Sequence, residues 1–119
     1  MKSGIELIAE ERQEQIEKHG FSVDSDKDYK KKELVQAANF CLVLAESKIK
    51  IHKIDSFWPD KWDLHFMRKI LCKSRKNQLI IAGAFLKAEN DRRGDTHWDT
   101  TIQSIAAEID RLQNTEKFK

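Results

Sequence analysis

The fold class this chain predicts is all-α, a compact bundle of four to five helices with an aromatic-rich loop, and three observations predict it. Its 119 residues include one Pro and four Gly, too little turn chemistry for the repeated reversals of an all-β domain. Apolar residues recur at three- and four-residue steps in several separate stretches, the period of helices that bury one face. Three Trp and six Phe, in a chain that is 39% apolar and 35% charged, supply the buried area for one core. A single domain over residues 1–119 follows, with 94–119 as a C-terminal helical extension.

The first helix is expected from Gly4 to Lys18, where Ile5, Ile8 and Ile16 line one side of a strongly charged stretch and His19-Gly20 supplies a stop. Ser25, Asp26 and Asp28 follow in a polar loop, each a candidate cap for a second helix running to about Lys48. That helix carries the cleanest period, with Leu34, Ala37, Ala38, Cys41, Leu42 and Ala45 forming one apolar stripe. The alternation Lys48-Ile49-Lys50-Ile51 has no partner strand in view and reads as a connector.

Phe57-Trp58-Pro59-Asp60-Lys61-Trp62 gathers three large rings around the only proline, either as a plug folded onto the core or as a wall on which a ligand stacks. Leu64, Met67, Ile70 and Leu71 continue as a short helix, and Ser74 caps the next one. Leu79 to Leu86 is apolar on every side, so its helix is expected at the centre. Gly94-Asp95-Thr96 then breaks the pattern before a last helix in which Trp98, Ile102, Ile105, Ile109 and Leu112 recur as a narrow seam. Two fates are open for that seam, closing the monomer's own core or pairing with a second copy. The apparent surplus of apolar surface points to a homo-oligomer.

No apolar run approaches the roughly 18 residues of a membrane span, which places the chain in the cytoplasm. Cys41 and Cys72 lie inside apolar helical patterns without metal-ligand spacing and read as reduced thiols. The four histidines at 19, 52, 65 and 97 are scattered, neither cysteine has a base at a catalytic spacing, and the four glycines stand too far apart for a phosphate loop. Of the histidines, His65 alone falls near the aromatic stretch.

Charge is unevenly distributed. Met1 to Asp28 holds eight acidic and four basic residues, whereas Lys48 to Lys76 holds nine basic and three acidic ones. The densest cations, Arg68, Lys69, Lys73, Arg75 and Lys76, surround the start of the central helix, where free N–H groups and the helix dipole also favour phosphate. A net charge of +2 and the lack of a recognition motif argue against nucleic acid, duplex above all. Glu11 and Glu14 project from one face of helix one, Glu33 opens helix two, and Glu89 closes the central apolar run, so three helices are in a position to converge their acids. A magnesium ion bridging nucleotide phosphates takes its ligands from such a set.

Several separated patches, Glu11-Arg12-Gln13-Glu14-Gln15-Ile16 with Gly20-Phe21, Glu33 to Ala38, Trp58-Pro59, and Ile81 to Glu89, resemble a family of small phage and prophage proteins of unassigned function. The likeness spans most of Glu11 to Arg92. It implies that Arg12, Gln15, Glu33, Gln36 and Glu89 lie near one another, in the host cytoplasm if the chain is phage-encoded, and it assigns them no role. The carboxylate arrangement also distantly resembles the all-α nucleotide pyrophosphatases of the MazG type, which pair an E-x-x-E helix with an E-x-x-D helix. Glu11-x-x-Glu14 matches the first element, while Glu33-x-x-Gln36 and Glu89-x-x-Arg92 depart from the second.

The leading expectation is therefore a protein that binds a nucleotide or related phosphorylated small molecule without turnover and without a resident cofactor. Its expected ligand contacts are Arg12, Gln15, Glu33, Trp58, Arg75, Lys76 and Glu89. The alternatives are a divergent magnesium-dependent MazG-like hydrolase using Glu11, Glu14, Glu33 and Glu89, and an interaction module that docks its last helix on a protein partner.

Overall fold

A computed structural model describes residues 2–19, 33–46, 49 and 64–117. It contains five helices in chain order and no strand among the described residues: α1 (Gly4–His19), α2 (Glu33–Leu44), α3 (Leu64–Leu71), α4 (Arg75–Arg93) and α5 (Asp99–Lys117). The all-α bundle expected from the sequence is the fold observed. No helix among the described residues is long and apolar enough to cross a membrane.

Local chemistry explains most of the boundaries. Ser3 and Glu6 form a capping box at the start of α1, the Ser3 Oγ accepting from the Glu6 N–H at 3.2 Å while the Glu6 Oε1 accepts from the Ser3 N–H at 3.4 Å. Helix α2 ends at Leu44 rather than near Lys48, because Glu46 turns the chain through a left-handed φ of 51°. The expected caps at residues 25–28, and all but Ile49 of the connector, lie outside the described residues.

Ser74 caps α4 as expected, its Oγ accepting from the Asn77 N–H at 3.2 Å. The same helix closes on Gly94, whose φ of 72° is the left-handed cap that glycine adopts without strain and whose N–H reaches the Asn90 carbonyl at 2.8 Å. Helix α4 is the hub, packing against α2, α1 and α5. Every residue from Gln78 to Leu86 is buried, as a helix apolar on all sides requires.

Contacts fix the directions of the four long helices. The Arg75 guanidinium at the start of α4 donates to the carbonyl of Glu46, just past the end of α2, so these two run antiparallel. Asn90 Nδ2 donates to the Asp99 carboxylate at 2.9 Å and its Oδ1 accepts from the Trp98 N–H at 2.9 Å, which fastens the start of α5 to the end of α4. Helix α1 follows the direction of α4, with Ile8 seated on Gly83 and Arg12 reaching Asp91. Its first turn lies on α5, where Gly4 N–H donates to the Asp110 carboxylate at 2.7 Å and Gln113 donates to the Lys2 carbonyl at 3.0 Å.

The seam of α5 resolves the choice left open by its sequence. Ile102, Ile105, Ala106 and Ile109 belong to the central cluster with Ile8, Leu79 and Phe85, and Trp98 and Leu112 pack against it. The segment read as an extension is thus an integral wall of the monomer. Its apolar stripe, expected at or near a contact between copies, is spent inside one chain.

Candidate functional site

Helix directions determine which polar residues meet. Because α1 runs with α4 and α2 runs against it, the second half of α1, the first turn of α2 and the last turns of α4 share one end of the bundle. Arg12 and Gln15 enter this end from α1, Glu33 from α2, and Glu89, Asp91 and Arg92 from α4. Four of the seven expected ligand contacts, Arg12, Gln15, Glu33 and Glu89, are therefore at the same end.

Three of the four are buried to a degree that polar side chains reach only under constraint: Arg12 is 4% exposed, Gln15 0% and Glu89 4%. Two of the charges are compensated. The Arg12 Nε donates to the Asp91 Oδ2 at 3.1 Å, and Arg92 grips Glu89 in a two-pronged contact, Nε to Oε1 at 2.5 Å and Nη2 to Oε2 at 3.0 Å. Arg92, one helical turn after Glu89, was legible from its i,i+3 spacing. Asp91 was not, since nothing local ties it to a residue 79 positions earlier in the chain.

Gln15 and Glu33 are the exceptions. Both the Nε2 and the Oε1 of Gln15 are buried without a hydrogen-bond partner, and the Glu33 Oε2 is in the same condition. The periodicity of α1 explains why Gln15 is inside, since it stands seven residues after the core residue Ile8 and three after Arg12, on one face. A buried polar atom left unpaired costs about 1–3 kcal/mol, so a fully buried primary amide with neither half engaged is an expensive thing to place in a helix seam. The Trp98 Nε1, beside the Asn90 junction at the same end of α4, is also buried and unpaired.

Glu11, one turn before Gln15, is half-buried and close enough to α2 to act on Cys41. Burial chiefly, and the Glu11 charge secondarily, push the Cys41 thiol up, which keeps it protonated and inert. That influence places Glu11 toward the last turn of α2, eight residues and about 12 Å along the helix from Glu33. Among the described residues no group of three or more His, Cys, Asp or Glu side chains is disposed to hold a metal ion, and both Glu89 oxygens are committed to Arg92.

The other expected contacts fall elsewhere. Arg75 is exposed and Lys76 half-buried at the opposite end of α4. Fourteen residues of helix separate Arg75 from Glu89, about 21 Å at 1.5 Å per residue. One small molecule does not touch both, so Arg75 and Lys76 leave the site that holds Gln15 and Glu33. Trp58 and the aromatic loop lie outside the described residues, and His65 is exposed on α3. Comparison with family models, with characterised proteins and with solved structures finds no match for this chain.

Proposed function

We propose that the protein binds a small polar molecule of the nucleotide class between the second half of α1, the start of α2 and the end of α4. The observation that carries the reading is the Gln15 side chain, wholly buried with donor and acceptor both unpaired, with the Glu33 Oε2 unpaired at the same end. A primary amide presents a donor beside an acceptor, the complement of a nucleobase edge, which Gln reads in a two-point contact. Glu33 accepts a further N–H or O–H. The guanidiniums of Arg12 and Arg92 suit phosphate, which would take the place of Asp91 and Glu89 as their partner.

Turnover is not part of the leading reading, because the acidic pair of a nucleotide pyrophosphatase is interrupted at Gln36 and at Arg92. A MazG-like hydrolase is the second reading, favoured by the arrival of Glu33 and Glu89 from two helices at one end. It requires magnesium to displace Arg92 from Glu89.

One screen separates the two. Melting temperature is recorded against nucleotides, cyclic nucleotides and adenosine-ribose derivatives, with and without magnesium, while pyrophosphate release is followed in parallel. A binder present at 100 times its dissociation constant adds about 2.7 kcal/mol of stability, and the shift should vanish in Gln15→Met. Magnesium-dependent pyrophosphate release that Glu33→Gln or Glu89→Gln abolishes would promote the hydrolase. A panel in which nothing moves the melting temperature would refute the nucleotide site.

A further inference from the structure

Beyond that site, the corner where α3 meets α4 carries a charge pattern that the polar end of the bundle does not use. From Leu64 to Ala88 the chain has no Asp or Glu and six Lys or Arg. Five of these, Arg68, Lys69, Lys73, Arg75 and Lys76, fall within nine residues spanning the end of α3, the turn at residues 72–74 and the first turn of α4. Arg68, Lys69, Lys73 and Arg75 are exposed. Among the described residues no carboxylate pairs with Arg68, Lys69 or Lys73, and Arg75 makes only its long contact to the Glu46 carbonyl. The net charge of +2 averages this corner against the acidic α1, so it understates the local potential.

Apolar side chains are interleaved with the cations. Leu64 and Leu71 on α3 are 58% and 48% exposed, and neither is part of the core. A partner that covers the corner must therefore offer negative charge together with exposed apolar surface. We infer that this corner binds single-stranded nucleic acid without sequence preference, phosphates on the cations and unstacked bases against the leucines. A duplex keeps its base faces inside the stack and so leaves the leucines without a partner.

The test is fluorescence anisotropy with a labelled 20-nucleotide oligothymidylate titrated with the full chain at several salt concentrations. Three to five phosphate contacts give a log–log salt slope of roughly −2 to −3.5, so affinity should fall about a hundredfold to a thousandfold between 25 and 200 mM salt. The triple variant Arg68→Glu, Lys69→Glu, Lys73→Glu should lose at least tenfold in affinity at 25 mM. A triple of equal net charge on other faces, Lys2→Glu, Arg93→Glu, Arg111→Glu, should bind within about threefold of the unmodified protein, with circular dichroism confirming that both variants fold. Absence of binding at 25 mM salt, or equal losses in both triples, would overturn the proposal. So would preference for the duplex form of the oligomer, or binding to phosphatidylserine vesicles without binding to the oligomer. Failure of the nucleotide screen leaves this inference standing, since the two sites lie at opposite ends of α4 and share no residue.

Discussion

Replacing Gln15 by Met asks directly why a whole amide is buried with nothing to bond. Met has a similar length and the same unbranched shape, so it fills the Gln15 space without a new cavity or a clash and removes only the polar atoms. In the ligand-free protein two polar atoms are unpaired at 0% exposure, each worth about 1–3 kcal/mol of lost solvation. Residual strain and imperfect packing of the thioether offset part of that gain. We therefore expect Gln15→Met to stabilise the free protein by about 1–3 kcal/mol, raising its melting temperature by about 4 °C for each kcal/mol at this chain length. The same variant should lose the thermal shift that a bound nucleotide gives. Urea denaturation of both proteins, with and without the best compound of the panel, measures the two effects on one scale. Destabilisation by more than about 1 kcal/mol would refute the reasoning, because it would mean that the amide already has partners in the free protein. A stabilised variant that still binds would remove Gln15 from the site.

Two further outcomes test the packing of α1 and α5 in the bundle. A Cβ added at Gly4 would stand 2.4 Å from the Ala106 carbonyl oxygen, a backbone atom that cannot turn aside, so Gly4→Ala should cost about 2–4 kcal/mol in urea denaturation despite the few tenths that a Gly-to-Ala change returns through the unfolded chain. Unchanged or increased stability would show that α1 does not sit on α5 as closely as described. Ile105 is wholly buried in the monomer core, so Ile105→Glu should unfold the protein by circular dichroism, whereas a folded monomer lacking self-association in light scattering would return the α5 seam to an interface between copies.

What the sequence made legible depends on whether the signal was local. The centrality of α4 was readable because Leu79 to Leu86 leaves no polar side for solvent, and the Ser74 cap because a hydroxyl before a helical period has few other uses. The Ser3–Glu6 capping box obeys the same local grammar, a serine followed three residues later by a glutamate, immediately before the helix start expected at Gly4. The α5 stripe announced burial without naming what it is buried against. Only the tertiary structure shows that it closes the core of its own chain. Arg75 and Lys76 were grouped with Glu89 on chemistry, although the 14-residue helical offset between them, about 21 Å, was available from counting. The Arg12–Asp91 pair joins residues 79 positions apart and left no trace at either one.

The two ends of α1 divide the work between structure and site. Its first turns are fastened to α5 through Gly4 and Asp110 and through Lys2 and Gln113, and Ile8 is wedged on Gly83 of α4. Helix α1 is thus positioned before the chain reaches Arg12. Past that point apolar residues would close the seam at lower cost, yet Arg12, Gln15 and Glu89 are all less than 5% exposed there. Arg12 and Glu89 are each held by an opposite charge, so they have a defined part in packing, in which buried ion pairs set helix register at the expense of stability. Gln15 has no partner through which to set anything. On the proposed reading, a bound polar molecule would satisfy both Gln15 and the Glu33 Oε2, which are unpaired at the same end.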